Sequence, residues 1–459
     1  VPHFSVAFRS ALKRSRMLSK TTMDSAVLFL FLLVIAPLLA SGLLTTPNDA
    51  GLTGEASPTA WTVPAGVKFG SLDKLKRLSL DNNNNDDDNN DQGNYDDQDT
   101  VAPQVIIATQ AIGLNFADIF SVLGLYNAAN QVRGSANGPF VPGLEFSGTV
   151  VVEDPNDKNF SMGDKVLGFT RFGAYSDCVK ARPAYLLPLP DNWTFFEGAS
   201  FIVQALTAWH GLVEVGRMPN LTNKTERPYV VVVHSAAGGV GLWASEIAAR
   251  RGAIVIGIVG DDPQKQKAFL ERILHLSPRS RCLIRGVEAS FGSRLAECLL
   301  QIHRDNSDIK VPQDYTSLTE LATAGLGADM IMECLGGKYF QASFDCLNSR
   351  GALVTYGSTS YVSPGKGLNW VRLVVRYLTR PRIDPGQLTS RNIRLGGFNL
   401  IFLTERQDEL RQQLQDCIDC LSGGTGELAN VTRPVIGRVF DFATETIHAM
   451  EYFKGGQTV

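Results

Sequence analysis

Uninterrupted apolar runs, each followed by a turn and a helical stretch, dominate the second half of the chain. Residues 229–241, YVVVVHSAAGGVG, place four consecutive valines ahead of a glycine-rich turn. A run without polar alternation predicts a parallel strand covered on both faces, and LWASEIAARR (242–251) continues it at helical spacing. The same alternation returns in IVIGIV (254–259), ADMIMECLGG (328–337), ALVTYGS (352–358) and NIRLGGF (392–398), so this half reads as a doubly wound α/β domain. Over 404–422, Leu410, Leu414, Cys417, Ile418 and Leu421 share one helical face, which stops at Gly423 and Gly424.

Between 140 and 190 the pattern shortens. PGLEFSGTVVV, GDKVLGF and YLLPLP, punctuated by Gly and Pro, predict several short strands. Upstream, strand-like pieces at 75–80 and 105–111 flank DNNNNDDDNNDQGNYDDQD (81–99), which holds too little apolar surface to pack. It reads as a disordered acidic insertion in a hairpin loop. Residues 273–311 are longer than a strand-to-helix connection needs, and two readings stand: an added surface element, or non-coding sequence retained in a gene model. Residues 26–44 are almost continuously apolar behind Lys13, Arg14, Arg16 and Lys20, and Ala40-Ser41-Gly42 closes the stretch. That pattern predicts a signal peptide or an uncleaved membrane anchor rather than a buried helix. The expectation is a secretory or membrane-anchored chain, in keeping with sequons at Asn159, Asn192, Asn220, Asn223 and Asn430. An organelle or the cytoplasm is the alternative.

The 459 residues, 44% of them hydrophobic, suffice for two cores. A net charge of −3 with no dense basic tract argues against nucleic acid as a partner. Seven cysteines spread from Cys178 to Cys420 have no disulfide rhythm, and Cys417 with Cys420 forms a lone CxxC inside a helical pattern, read as core packing.

The turn carries the chemistry. Gly238 lets backbone approach a pyrophosphate, Gly239 and Val240 open the helix, and Gly241 lets that helix pack closely on its strand. The helix N-terminus would then face the phosphates. Where an NAD site usually holds a carboxylate at the end of the second strand, this chain has Val259 and Gly260, which leave room for a 2′-phosphate and favour NADPH. Asp261 and Asp262 oppose that inference if the register shifts.

Four segments resemble the zinc-independent quinone oxidoreductases of the medium-chain dehydrogenase/reductase superfamily: GLNFADIFSVLGLY (113–126), VPGLEFSG (141–148), QALTAWHGL (204–212) with the glycine turn, and CLGG with LVTYGS (334–358). GLNFADI, VTYGSTSYVSPGKGLNW (354–370) and LGGFNL (395–400) look most like the vesicle amine transport protein one-like branch. The resemblance implies a partly open, GroES-like β-barrel catalytic domain over 59–204 and 401–459, and a Rossmann domain over 205–400, behind a leader and linker over 1–58. It also implies an active site in the cleft between them and a homodimer through the edge strand 392–398.

By the same resemblance, Lys265 and Tyr315 clasp the phosphate-bearing adenosine end of NADPH, and Thr207 joins the cofactor site. Lys265 is otherwise a surface lysine. Tyr126 ends the family's GxY motif and either donates to the acceptor or walls the nicotinamide; Val122 stands where many relatives have arginine. Asn115 either orients a carboxamide or substrate oxygen or bonds its own loop, and Asp118 caps local backbone. Asn115 and Leu144 occupy the positions of the zinc-binding Cys and His of alcohol dehydrogenases, which rejects a catalytic zinc. The implied activity is NADPH-dependent reduction of a quinone or α,β-unsaturated carbonyl. A weakly catalytic or non-catalytic membrane-associated nucleotide-binding protein is the rival. Residues 370–382, WVRLVVRYLTRPR, either touch anionic lipid, cover the cleft, or form a helix packed between the domains.

Overall fold

The structure, a computed structural model, describes residues 58–64, 67, 70–79, 104–133, 139–155, 158–221, 227–305, 315, 317–362 and 365–456. The apolar leader at 26–44 and the acidic run at 81–99 lie outside the described residues. Among the described residues no helix is long and apolar enough to cross a membrane.

The chain begins with β1 (Thr59–Thr62) and β2 (Lys76–Ser79), then β3 (Val105–Gly113), α1 (Phe116–Val122) and α2 (Asn127–Arg133). β4 (Glu145–Val152), β5 (Lys165–Phe169), β6 (Cys178–Ala181) and β7 (Leu186–Pro188) complete an antiparallel sheet in the order β6-β3-β4-β5-β7. Among the described residues its two edge strands do not pair, so this first domain is open rather than a closed barrel. The expected hairpin across the acidic run is not formed. β2 pairs with β1, which precedes it, whereas β3 pairs with β4 and β6.

After α3 (Phe195–Gly198) and α4 (Ile202–Trp209), strands and helices alternate: β8 (Val230–His234), α5 (Gly239–Arg250), β9 (Ile254–Val259), α6 (Pro263–Ile273), β10 (Arg281–Ile284) and α7 (Glu288–Arg304). The second half runs α8 (Leu318–Thr323), β11 (Ala328–Glu333), α9 (Gly337–Asp345), β12 (Leu347–Thr355), α10 (Trp370–Leu378), α11 (Pro385–Arg391) and β13 (Arg394–Gly397). α12 (Gln407–Leu421) and α13 (Thr446–Lys454) follow. The six parallel strands lie in the order β10-β9-β8-β11-β12-β13. Strand order reverses between β8 and β11, which opens a crevice at their carboxyl ends, where ligands of such sheets bind.

Alternation along β8 shows why both faces are covered. Val231 and Val233 join Leu206, Trp243, Ile247 and Leu414 on one side, from α4, α5 and α12. Val230 and Val232 join Phe291, Leu295, Leu299 and Phe344 on the other, from α7 and α9. One expectation changes here. The stretch 273–311 is no added surface element over its described part, because β10 extends the sheet beside β9 and α7 buries Phe291, Leu295 and Leu299 against it. The helix expected at 404–422 is present and packs on α4 and α5, while Ile401 just ahead of it packs with Phe140, Leu144 and Phe172 of the first domain. The segment after α12 is pinned by buried charge. Glu246 of α5 accepts from Arg272 Nε at 2.5 Å and from Thr432 Oγ1 at 2.9 Å, while the Arg272 guanidinium lies over the Trp243 ring. α13 then packs on α1, with Phe453 4.7 Å from Phe116 between ring centroids.

α5 sits close to β8 because of one missing side chain. A Cβ at Gly241 would lie 2.2 Å from the Ser235 carbonyl oxygen and 2.7 Å from Ala236 Cα, both backbone atoms that cannot swing aside. Gly241→Ala is therefore expected to destabilise the fold by about 1–3 kcal/mol, as overpacking does. A urea midpoint equal to that of the unaltered chain would contradict this packing.

Candidate functional site

A cleft of about 910 Å³ runs between the domains. The first domain contributes Asn115, Phe116 and Phe120 at the start of α1, Tyr126, and Leu144 beside β4. The Rossmann domain contributes Gly238, Gly239, Val240 and Gly241, then Gly260, Lys265 and Arg285. Gln204 and Thr207 of α4, and Phe398 and Asn399 just past β13, complete the wall between them. A size of several hundred Å³ with apolar walls and a few convergent polar groups is what a cofactor site requires.

At the nucleotide end, Gly238 is the N-cap of α5 in extended conformation, so the first-turn N–H groups open toward the cleft without intrahelical partners. A Cβ at Gly239 would meet the Gln204 carboxamide at 2.1 Å, so that side chain would have to swing aside. Gly260, at the end of β9, has nothing within 4 Å of where a Cβ would stand. The register doubt over Asp261 and Asp262 resolves as geometry: neither lines the cleft, and Asp262 caps α6 by accepting from Gln264 N at 2.9 Å. Lys265 does line the cleft, and its Nζ donates to the carbonyl of Gly456, just past α13, bridging the domains. Burial lowers its pKa, with Asp262 opposing.

Arg285 is the residue that sequence reasoning missed at this end. It follows β10, its N–H bonds to Val259 O at 2.7 Å, and it faces the same end of the cleft as Lys265. The signal was available, a strand ending in arginine, but it lay in the stretch taken for an insertion. Tyr315 is placed away from this end. It packs against Ala296, Leu300, Leu321 and Leu326, from α7, α8 and the turn after α8, and does not line the cleft.

At the other end, a buried carboxyl ties three elements together. Glu145, at the start of β4, accepts from Asn115 Nδ2 at 2.9 Å and from the Val203 N–H in the first turn of α4 at 3.1 Å. Asp118 accepts the Asn115 backbone N–H at 2.7 Å, which is the bracing role expected of it. Burial pushes the Glu145 carboxyl up to about 8 and that of Asp118 up to about 7, against the hydrogen bonds they accept. Thr207 spends its hydroxyl on Val203 O at 2.6 Å. Tyr126 donates to Asn399 Oδ1 at 2.6 Å, across the gap between the domains. Burial holds its phenol well above the ordinary value, so the group keeps its proton. Asn399, too, was missed: it lies in LGGFNL, and its partner is 273 residues away. The positions matching zinc ligands hold a carboxamide and an isobutyl group, and among the described residues no cluster of His, Cys, Asp and Glu fits a metal.

The helix at 370–382 differs from its packed-between-domains reading. No residue of α10 is buried; Val371 is 76% and Leu378 62% exposed, while Arg372 and Arg376 line the cleft. Arg376 pairs with Glu288 at 3.0 Å.

The raised carboxyl values set a pH dependence. An acid whose folded pKa exceeds its unfolded value is protonated only in the folded state between the two, so stability falls as pH rises through that window. For Glu145 the window runs from 4.5 to about 8. The thermal midpoint is expected to fall between about pH 5 and about pH 8, and to fall less in Glu145→Gln. An identical slope in the variant would show that Glu145 ionises freely.

An alcohol dehydrogenase GroES-like domain model matches residues 102–191, and a zinc-binding dehydrogenase model matches 308–459. The chain is 29% identical over 332 residues, 71% of its length, to the pikromycin polyketide synthase component PikAII of Streptomyces venezuelae, spanning 7% of that protein. It is 24% identical over 302 residues to the human synaptic vesicle membrane protein VAT-1 homolog-like, 66% of this chain and 60% of that one. A quinone oxidoreductase-like protein 2 homolog of Nematostella vectensis is 29% identical over 261 residues, 56% of this chain and 59% of that one. Among solved structures, CurK enoyl reductase (TM-score 0.61, 20% identity) covers 88% of this chain, with 97% of its own covered. Mycobacterial Rv1454c complexed with NADPH (TM-score 0.59, 22% identity) covers 88%, with 98% of its own covered. At such identities the structural likeness speaks to the fold. With the two domain matches, the glycine turn and the open antiparallel domain, the chain belongs to the medium-chain dehydrogenase/reductase superfamily, on the side of its quinone oxidoreductase and VAT-1-like branch.

Proposed function

We propose that this protein is an NADPH-dependent reductase of quinones or α,β-unsaturated carbonyls that works without zinc. One observation carries the reading: a single cleft joins a phosphate-binding helix N-terminus, with Gly260, Lys265 and Arg285 at one end, to apolar walls and the Tyr126–Asn399 pair at the other. The names of relatives, among them enoyl reductases and quinone oxidoreductases, agree with it.

The α5 N-terminus and the Gly238-Gly239 backbone would hold the pyrophosphate. Gly260 leaves the ribose 2′ position open, and Lys265 and Arg285 line the cleft there while Asp261 and Asp262 do not, which favours a 2′-phosphate over a 2′-hydroxyl. To reach that phosphate, Lys265 exchanges the Gly456 carbonyl for a stronger, charged acceptor. Bound NADPH supplies the hydride. Phe116, Phe120 and Leu144 exclude water from the acceptor, and the polar pair meets the charge that develops on its oxygen. Asn115, with one amide N–H committed to Glu145, braces the wall. The exposed edge strand β13 serves a homodimer in this reading, and light scattering tests it.

NADPH is expected to bind at least tenfold more tightly than NADH, a difference of about 1.4 kcal/mol. Lys265→Ala and Arg285→Ala should each weaken NADPH by about 1–3 kcal/mol and leave NADH nearly unchanged, as loss of a charge-assisted contact does. Equal affinities in a calorimetric titration would refute the assignment. Reduction across an acceptor panel should survive treatment with a chelator; activity that disappears and returns with zinc would show that a metal does the polarising.

A further inference from the structure

We propose that Asn399 is a catalytic residue: its amide nitrogen donates to the acceptor's carbonyl oxygen as negative charge builds there, while the Tyr126 hydroxyl holds the amide in place. The proposal rests on the reductase reading above and names the group that performs its polar step.

The argument is an accounting of donors. Thr170 spends its hydroxyl on Phe172 O at 2.9 Å, Thr207 on Val203 O at 2.6 Å and Thr404 on Ile401 O at 2.8 Å. Asn115 has committed one N–H of its amide to holding Glu145, at 2.9 Å. The Tyr126 phenol has committed its proton to Asn399 Oδ1 at 2.6 Å. The Asn399 Nδ2 group, by contrast, has no partner among the described residues, and Asn399 lines the cleft. Each amide has two N–H donors beside an acceptor oxygen, so fixing Oδ1 aims both donors. The position is suited to it: Asn399 lies two residues beyond β13, on the carboxyl side of the parallel sheet. Apolar residues matter as well, because Leu144, Leu400 and Ile401 line the same cleft, and a hydrogen bond to a developing anion gains most where water is excluded.

In the step, the double bond to the β carbon gives way as that carbon gains hydride, the electron pair moves to the carbonyl oxygen as an enolate held by Asn399, and solvent later supplies the proton to the α carbon. Tyr126 keeps its own proton throughout, in keeping with a pKa raised by burial. It is a positioning residue.

Three variants test this in the full-length chain. Asn399→Leu removes the donor, and turnover is expected to fall by about 10²- to 10³-fold with NADPH affinity unchanged, the usual cost of one oxyanion donor. Asn399→Asp still accepts from the phenol but cannot donate, so it should fall as far while keeping its thermal midpoint. Tyr126→Phe leaves the donor present but loosely aimed, and should cost about tenfold, with no further loss when combined with Asn399→Leu. A second readout needs no turnover: para-nitrophenol absorbance reports whether the bound phenol is ionised. The unaltered chain should lower its pKa by about one unit, a tenfold preference for the anion, and Asn399→Leu should abolish the shift. The idea is overturned if Asn399→Leu keeps full turnover and the nitrophenol shift. It is equally overturned if Tyr126→Phe is the more damaging single change, since the phenol would then be the donor. Should the unaltered chain reduce no acceptor at all, the reductase reading falls, and the nitrophenol shift still decides whether Asn399 binds an oxyanion.

Discussion

The approach of α5 to β8 is the constraint on which the rest depends. Backbone meets backbone at Gly241 and Ser235 with no room for a methyl group, and that contact fixes where the first turn of α5 points. The helix dipole and its unpaired N–H groups are aimed by this packing, not by any side chain in the turn. The strand order supplies the opening in front of them, because β8 and β11 send their connections to opposite sides. A charged nucleotide can sit against an otherwise apolar crevice only because these two features coincide.

The second requirement is that the two domains face each other at a set distance. Three contacts bridge the gap or close around it: Tyr126 to Asn399, Lys265 to the Gly456 carbonyl, and α13 against α1. The Glu246–Arg272 pair anchors the return segment before it re-enters the first domain. It is buried and closely paired, and removing one partner would strand the other charge at a high cost, so the chain's route is strongly specified there. Under the floor of the cleft, the buried Glu145 carboxyl does the same work, linking β4, α1 and α4. Polar groups at this site therefore divide in two, those spent on holding backbone and those left facing the ligand.

Much of this was legible in the sequence for a simple reason. Valine and isoleucine runs such as 230–233 and 254–259 are covered on both faces, and double coverage writes itself into composition. The face of α12, through Leu410, Leu414, Cys417, Ile418 and Leu421, was equally plain, but amphipathicity does not name its partner, and the helix packs on the Rossmann side. The pairing of β2 was misread because its partner lies before it in the chain, where the turn signal gives no hint. β10 was hidden by brevity, four residues with arginine at its start, although Phe291, Leu295 and Leu299 just beyond it recur at helical spacing. The candidate site divided along the same line. Gly238 to Gly241 and Gly260 answer to local backbone geometry and could be placed from the sequence. Asn399 and Arg285 matter only through partners or neighbours distant in sequence, and Tyr315, given to the cofactor by resemblance, packs beside Ala296, Leu300 and Leu321.

The central claim is that this cleft passes hydride from a bound nicotinamide to the β carbon of an acceptor. NADPH carrying deuterium at the transferable C4 position, offered with an enone, tests it most directly by mass spectrometry and NMR of the product. The account predicts a saturated ketone holding a single deuterium at the β carbon and none at the α carbon. A product labelled elsewhere, an unlabelled product, or no product across the acceptor panel would contradict it.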